Sequence, residues 1–190
     1  MHDPDKTYGS GAPVVSDMLH YIDVHDHVCM VYETLEEQFS AVSRFMEMGL
    51  QRRERCICIT DESNIDVVLR QMTKAGIRAE HAMNAGALSI ITKHDSYLKQ
   101  GYFDPDQMID SIREAADDAE SAGFKALRVI GDMSWASEDY RGVERLIEYE
   151  SRVDGLFPDN NILAICQYDR TRFSQELINT MIAIHPCCWL

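Results

Sequence analysis

The stretch Val28-Cys29-Met30-Val31-Tyr32, which runs directly into Glu33-Thr34-Leu35-Glu36-Glu37, decides the fold of this chain. A short, continuous apolar run is typical of a strand covered on both faces, as in a parallel sheet. Open parallel sheets bind ligands at the carboxyl ends of their strands, and those that bind phosphate place a glycine-rich loop there. This junction has no glycine and carries carboxylates close to the expected helix start. The pattern therefore predicts a relative of nucleotide-binding folds that does not hold phosphate here.

Four further apolar runs follow, at residues 56–60, 88–92, 126–130 and 162–167. Between them, apolar residues recur at helical spacing behind start signals such as Thr34, with Glu37 three residues later. Helices are expected from Thr34, Ser63, Asp104 and about Ser137, and around residues 173–184. Five strands alternating with five helices predict a three-layer α/β fold, in which a mostly parallel five-stranded sheet carries helices on both faces.

Composition describes an acidic globular chain of 190 residues with a formal net charge of -14. This size favours one domain over residues 21–190, and the glycine-containing start predicts a flexible N-terminal arm over residues 1–20. Direct nucleic-acid binding is not expected, because its affinity comes largely from Lys and Arg. No apolar run reaches the length of about 20 residues that spans a bilayer. Because no signal-peptide pattern is present either, we expect a cytoplasmic protein that makes no membrane contact.

Histidine and cysteine residues near the first predicted strand form a candidate metal-binding set. His25, His27 and Cys29 alternate, so an extended backbone would direct all three side chains to one face and present a three-ligand set for a transition metal. The alternative interpretation of the same three residues is a buried cysteine beside two partly exposed histidines, with no metal. The six cysteines include no C-x-x-C pair, and four lie in predicted strands as reduced thiols. The adjacent Cys187 and Cys188 are expected to be exposed and open to oxidation or a soft metal.

Four segments together resemble the MEDS family of sensory domains, named for methanogen and methylotroph regulators. They are Asp26–Glu33, Glu54–Glu62, Leu127–Trp135 and Ile165–Asp169, and the resemblance covers about residues 20–186. It implies a layout related to RecA and KaiC-type ATPases without a Walker A loop. It also implies sensing of simple hydrocarbon derivatives upstream of kinases or transcription outputs.

The strand order implied by this resemblance predicts where a ligand would bind. The carboxyl ends of the first, fourth and fifth strands would lie side by side, with the second strand flanking them, and their side chains would face one crevice. The resemblance also singles out His27. The expected ligand-binding residues are His27, Tyr32, Glu33, Asp61, Glu62, Asp132, Trp135, Tyr168 and Asp169. As alternatives, the acidic residues serve as helix caps, Asp132 anchors the following loop, and Trp135 belongs to the core.

The sequence therefore predicts a non-catalytic sensor that binds a small organic molecule, neutral or cationic, and relays to a histidine kinase or a transcriptional regulator. A second copy of the chain is a further candidate partner, whereas nucleic acid and membrane are not. No nucleophile elbow, H-E-x-x-H motif or phosphate loop is present, and no cofactor is indicated. Two alternatives stay open: a metal-binding or redox-responsive protein using the His and Cys residues, and a degenerate nucleotide-binding protein.

Overall fold

A computed structural model describes residues 19–189, with the side chain of His20 excepted. Within this part the strands are β1 (His27–Tyr32), β2 (Arg55–Thr60), β3 (Leu88–Thr92), β4 (Leu127–Asp132), β5 (Ile162–Asp169) and β6 (Cys187–Trp189). They form one sheet in the order β3-β2-β4-β5-β1-β6. Every pair is parallel. The predicted α/β fold is confirmed, as is the expected arrangement of β1, β4 and β5 with β2 beside them.

The structure adds a sixth strand to the predicted five. In β6, Cys187 lies opposite Val28 and Cys188 opposite Cys29, so both residues are part of the sheet edge. Both side chains are partly buried. Because neighbouring residues in a strand point to opposite faces, the two thiols do not form one exposed pair as expected. A three-residue strand directly after Pro186 is too short to show an apolar run, which is why the sequence did not predict it.

In residues 19–189 six α-helices cover the sheet: α1 (Leu35–Arg52), α2 (Ile65–Lys74), α3 (Ala79–Asn84), α4 (Pro105–Ser121), α5 (Leu146–Val153) and α6 (Gln175–Ile184). The short α3 was not predicted. The helix expected from about Ser137 begins later, at Leu146, because Gly142 with a φ of 93° breaks the chain direction between the two positions. No helix in the described part is long and apolar enough to cross a membrane.

Two apolar layers result from the alternation of side chains along each strand. Val28 and Met30 of β1 pack with α1, α2 and α3 on one face, which we call the α1 face. Cys29 and Val31 pack with α4, α5 and α6 on the other, which we call the α5 face. The predicted N-terminal arm lies almost entirely outside the described residues, and the division at residue 21 stays a prediction.

A buried ion pair joins β4 to the turn between α1 and β2, on the α1 face. Nε of Arg128 in β4 lies 2.5 Å from Oε2 of Glu54, and both side chains are buried. The Arg128 guanidinium lies over the Phe45 ring, 4.3 Å from its centroid. Gly49 of α1 makes this approach possible, because a Cβ there would lie 2.5 Å from Arg128 Cδ and 2.5 Å from Cys56 Sγ.

Candidate ligand-binding crevice

A crevice of about 240 Å³ opens at the carboxyl ends of β1, β2, β4 and β5. Five of the nine predicted ligand-binding residues line it: Tyr32, Asp61, Asp132, Trp135 and Asp169. The lining residues that sequence reasoning missed are Leu35, Gln38, Thr60, Ser63, Asn64, Lys93, Ser134, Glu138 and Arg172. The rule that parallel sheets bind ligands at this edge located the crevice, but it could not identify the helix and loop residues that complete it.

Hydrogen-bonding groups form the floor of the crevice. The Tyr32 hydroxyl shares a hydrogen bond of 3.2 Å with Ser134 Oγ, and the Ser134 backbone N–H donates to Asp132 Oδ1 at 2.9 Å. Burial and the neighbouring charge of Asp132 raise the pKa of Tyr32, so its hydroxyl keeps its proton at neutral pH. Within the described residues, neither Gln38 Oε1 nor Trp135 Nε1 has a hydrogen-bond partner. The floor therefore retains unused capacity for hydrogen bonding.

Charged side chains form one wall. Lys93 Nζ lies 2.9 Å from Asp61 Oδ2 and 3.5 Å from Glu138 Oε1. The hydrogen bond from Lys93, together with one from the Ser63 amide, lowers the pKa of Asp61 to about 2. Arg172 lies 3.7 Å from the same Glu138. Four carboxylates against two cations leave the crevice formally negative, which agrees with the expectation of a neutral or cationic ligand.

Three crevice carboxylates also organise the backbone that follows their strands, as the cap alternative predicts. Asp61 accepts from the Ser63 amide at 3.0 Å, and Asp169 accepts from the Thr171 amide at 2.8 Å. Asp132 holds the Ser134 amide in the same way. Trp135 is buried against Tyr97, with ring centroids 5.1 Å apart. These side chains therefore have a structural role whether or not a ligand binds.

The start of α1 occupies the position where a nucleotide-binding relative would hold phosphate. Here the backbone N–H groups of Glu33 and Thr34 donate to Glu37 Oε2 at 2.9 and 3.1 Å, while the Glu37 amide donates to Thr34 Oγ1 at 3.2 Å. These hydrogen bonds lower the pKa of Glu37. The protein's own carboxylate thus satisfies amides that would otherwise be free to receive an anion.

Four predicted ligand-binding residues lie elsewhere. Glu33 points outward to Arg170, with Oε1 3.2 Å from Nε, and Glu62 lies on the surface, 4.0 Å from His94. Tyr168 and His27 point to the opposite, α5 face. Side chains alternate between faces along a strand, and Tyr168 lies one residue before Asp169 while His27 lies five residues before Tyr32. The structure therefore does not bring these four side chains to the crevice.

The predicted metal set is also not assembled. His25 precedes β1 with a φ of 83°, and its Nδ1–H donates to the Phe157 carbonyl at 2.6 Å. Cys29 lies beside Cys188 of the neighbouring strand. His27 instead joins Glu150, Cys166 and His185, whose potential ligand atoms all lie within 4.8 Å of one another. Sequence reasoning missed this cluster because its members are far apart along the chain.

An open parallel sheet in this order, with its crevice at the carboxyl edge and a glutamate in the phosphate position, defines a RecA/KaiC-like domain without a nucleotide loop. The family model of the MEDS domain (MEthanogen/methylotroph, DcmR Sensory domain) matches residues 26–186. The chain therefore belongs to the MEDS family, as its sequence motifs predicted.

A related protein supports this family assignment. The transcriptional repressor DcmR of Methylorubrum extorquens (strain DSM 6343 / CIP 106787 / DM4) is 25% identical over 186 residues, which are 96% of this chain and 65% of the repressor. The chain thus spans somewhat less than two thirds of that relative's length. Family and relative together support a signal-sensing, regulatory role.

Two solved structures share the fold. The flagellar accessory protein FlaH of Methanocaldococcus jannaschii is 12% identical with a TM-score of 0.64, covering 95% of this chain and 77% of FlaH. A KaiC-like protein of Pyrococcus horikoshii OT3 is 14% identical with a TM-score of 0.56, covering 77% of this chain and 62% of that protein. At this level of identity the likeness concerns the fold alone.

Proposed function

We propose that this chain is a non-catalytic sensor that binds a small organic molecule in the crevice and relays its presence to a regulatory partner. The observation that carries the proposal is the convergence of Tyr32, Asp132 and the Lys93–Asp61 pair on one cavity. The phosphate position beside that cavity is filled by Glu37. A RecA-like crevice altered in this way is available for a ligand other than a nucleotide.

The chemistry of the crevice favours a small ligand that is neutral or positively charged. Pockets for drug-sized ligands measure roughly 300–1,000 Å³, and this cavity measures about 240 Å³. The excess of carboxylates disfavours an anion, while the Tyr32 hydroxyl and the Asp132 carboxylate can orient a hydroxyl, carbonyl or amine. These properties fit the simple hydrocarbon derivatives that the family resemblance implies.

Trp135 provides a route from the ligand to the surface. Its indole lines the crevice and also packs on Tyr97 and Phe103, with ring centroids 5.1 and 4.8 Å away. Both aromatic residues belong to the connection after β3, so a ligand that moves the indole also moves that segment. Such a response requires a ligand that binds one arrangement better than the other. A ligand should then change the hydrogen-exchange rates of residues 93–104, and unchanged rates would contradict this route.

The partner that reads this response is proposed to be a histidine kinase, a transcriptional regulator or a second copy of the chain. The relative DcmR is a transcriptional repressor, which supports the second class. Native mass spectrometry with and without ligand tests the third, because a change in the number of subunits would show that copies of the chain report to one another.

Thermal unfolding with a panel of short alcohols, aldehydes, amines and halogenated alkanes tests the binding site. We expect at least one class to raise the Tm of the wild type. Tyr32→Phe and Asp132→Asn should lose most of that increase, since each removes one orienting group. Matched controls are Tyr102→Phe and Asp110→Asn, which lie outside the crevice and should keep it. Equal stabilisation of crevice and control variants would refute the site.

A further inference from the structure

We propose that His27, Glu150, Cys166 and His185 form a buried binding site for one divalent transition-metal ion of the zinc class. The cluster lies on the α5 face, away from the crevice, and the proposal is independent of the ligand proposed there. It differs from the metal set that the sequence predicted, with which it shares only His27.

The spacing of the ligand atoms is the first argument. Glu150 Oε2 lies 3.4 Å from His27 Nε2 and 3.4 Å from His185 Nε2, and Cys166 Sγ lies 3.5 Å from His27 Nε2. A tetrahedral zinc ion with bonds of about 2.0–2.3 Å places its ligand atoms roughly 3.3–3.7 Å apart. Three of the six distances between the four ligand atoms therefore match tetrahedral coordination, and the other three are no longer than 4.8 Å.

Unpaired polar atoms are the second argument. Glu150 Oε2 and His185 Nε2 are buried and have no hydrogen-bond partner within the described residues. Glu150 is 1% and His185 is 6% exposed. Glu150 Oε2 and His185 Nε2 lie 3.4 Å apart without a hydrogen bond, so both are free to bind a metal ion, which would satisfy the two buried atoms together.

The groups behind the ligands are the third argument. His185 Nδ1–H donates to the Met181 carbonyl at 2.8 Å, which leaves the lone pair on Nε2 for a metal. His27 Nδ1 lies 3.5 Å from Asp154 Oδ1, and the Tyr168 hydroxyl donates to Glu150 Oε1 at 2.5 Å. Metal-binding histidines and carboxylates are oriented by such outer partners in known metalloproteins. Two of the four ligands, Glu150 and His185, are therefore already held in position by hydrogen bonds.

The ligand types identify the metal class. Two imidazoles, one thiolate and one carboxylate suit zinc, and the two negative ligands balance its charge. All four positions come from the protein, as in structural rather than catalytic zinc sites. The ligands belong to β1, α5, β5 and the residue after α6. A bound ion would thus cross-link two strands and two helices on the α5 face.

Elemental analysis of protein purified without an affinity tag, followed by cobalt titration of the metal-free form, tests the site. We expect one zinc-class ion per chain. Cobalt should give the visible bands of tetrahedral coordination and a thiolate charge-transfer band. Removing the metal with a chelator should lower the Tm. A folded wild type that carries no metal, gives no cobalt spectrum and keeps its Tm with chelator would overturn the proposal.

Variants identify the ligands. Cys166→Ser should abolish the thiolate charge-transfer band, and Tyr168→Phe should weaken cobalt affinity about 10- to 100-fold, as loss of an outer-shell partner does. The controls His25→Ala and Cys29→Ser should bind cobalt like the wild type. Loss of the charge-transfer band in Cys29→Ser, with its retention in Cys166→Ser, would overturn the assignment in favour of the set predicted from sequence. Circular dichroism confirms that each variant is folded.

Discussion

Lys93 shows how one side chain can set the character of the crevice. It lies between Asp61 and Glu138 and neutralises part of an otherwise acidic wall. No sequence pattern marked it, because a lone lysine after an edge strand usually points into solvent. In the fold Lys93 is only 9% exposed, and this burial strengthens its ion pair with Asp61.

The Asp61–Lys93 pair should make stability depend on pH in a defined range. The pKa of Asp61 falls from 3.8 to about 2 in the folded protein, so the pair stabilises the fold above pH 3.8 and loses this contribution as the pH falls towards 2. The Tm of the wild type should therefore exceed that of Asp61→Asn at pH 6, and the difference should shrink below pH 3.8. A difference that is constant down to pH 2 would contradict the pairing.

Gly49 is the residue whose replacement should most disturb the α1 face. Alanine would place a methyl group 2.5 Å from Arg128 Cδ, and the buried guanidinium has little room to move. We expect Gly49→Ala to lower the free energy of unfolding by at least about 1–3 kcal/mol, the usual cost of overpacking. Gly155→Ala is the matched control, because nothing lies within 4 Å of its added Cβ. Urea denaturation measures both, and equal stability would disprove the close contact.

At the scale of elements, the first turn of α1 determines what the fold can no longer bind. Glu37 satisfies the amides of Glu33 and Thr34 from within the same helix. The turn is therefore closed to an incoming phosphate, in contrast to a glycine-rich loop.

Two measurements check this interpretation of α1. Titration of the wild type with ATP and Mg²⁺ should release no heat, and saturable binding would show that the fold still accepts nucleotide. Glu37→Ala should cost about 1 kcal/mol of unfolding free energy, since it removes the side chain that completes the capping box. Glu36→Ala is the control, because Glu36 lies in the same turn outside that box. Equal urea midpoints for the two variants would show that the hydrogen bonds of Glu37 contribute nothing to stability.

Long elements with clear signals could be predicted, whereas short ones could not. The capping box of α1 and the Asp104–Pro105 start of α4 were confirmed because both signals are local. The short α3 and β6 depend on packing against neighbours and carry no pattern of their own. In the crevice, strand-end residues such as Tyr32 and Asp132 were predictable, while Gln38 and Lys93 were not. Neither were the partners of His27, which approach it only through the folded topology.

The whole molecule combines two polar centres separated by one sheet. The crevice uses residues of the α1 face and the sheet edge, and the His27 cluster uses residues of the α5 face. The two centres are separated because consecutive side chains of β1 and β5 point to opposite faces of the sheet.

The overall charge of -14 predicts how the molecule behaves towards DNA. The field of so acidic a chain repels phosphate, so we expect no shift of duplex DNA in a gel at low salt, where non-specific binding is strongest. A basic protein of similar size provides the positive control. Retardation that disappears as salt is added would show a basic surface that the composition conceals.

The positions of the two tryptophans have a practical consequence. Trp135 borders the crevice, whereas Trp189 is buried at the sheet edge formed by β6. The fluorescence of the first should respond to any occupant of the cavity, and that of the second to fraying of the edge strand. Replacing either by phenylalanine leaves a single tryptophan, so the crevice and the edge strand can be followed separately without an added dye.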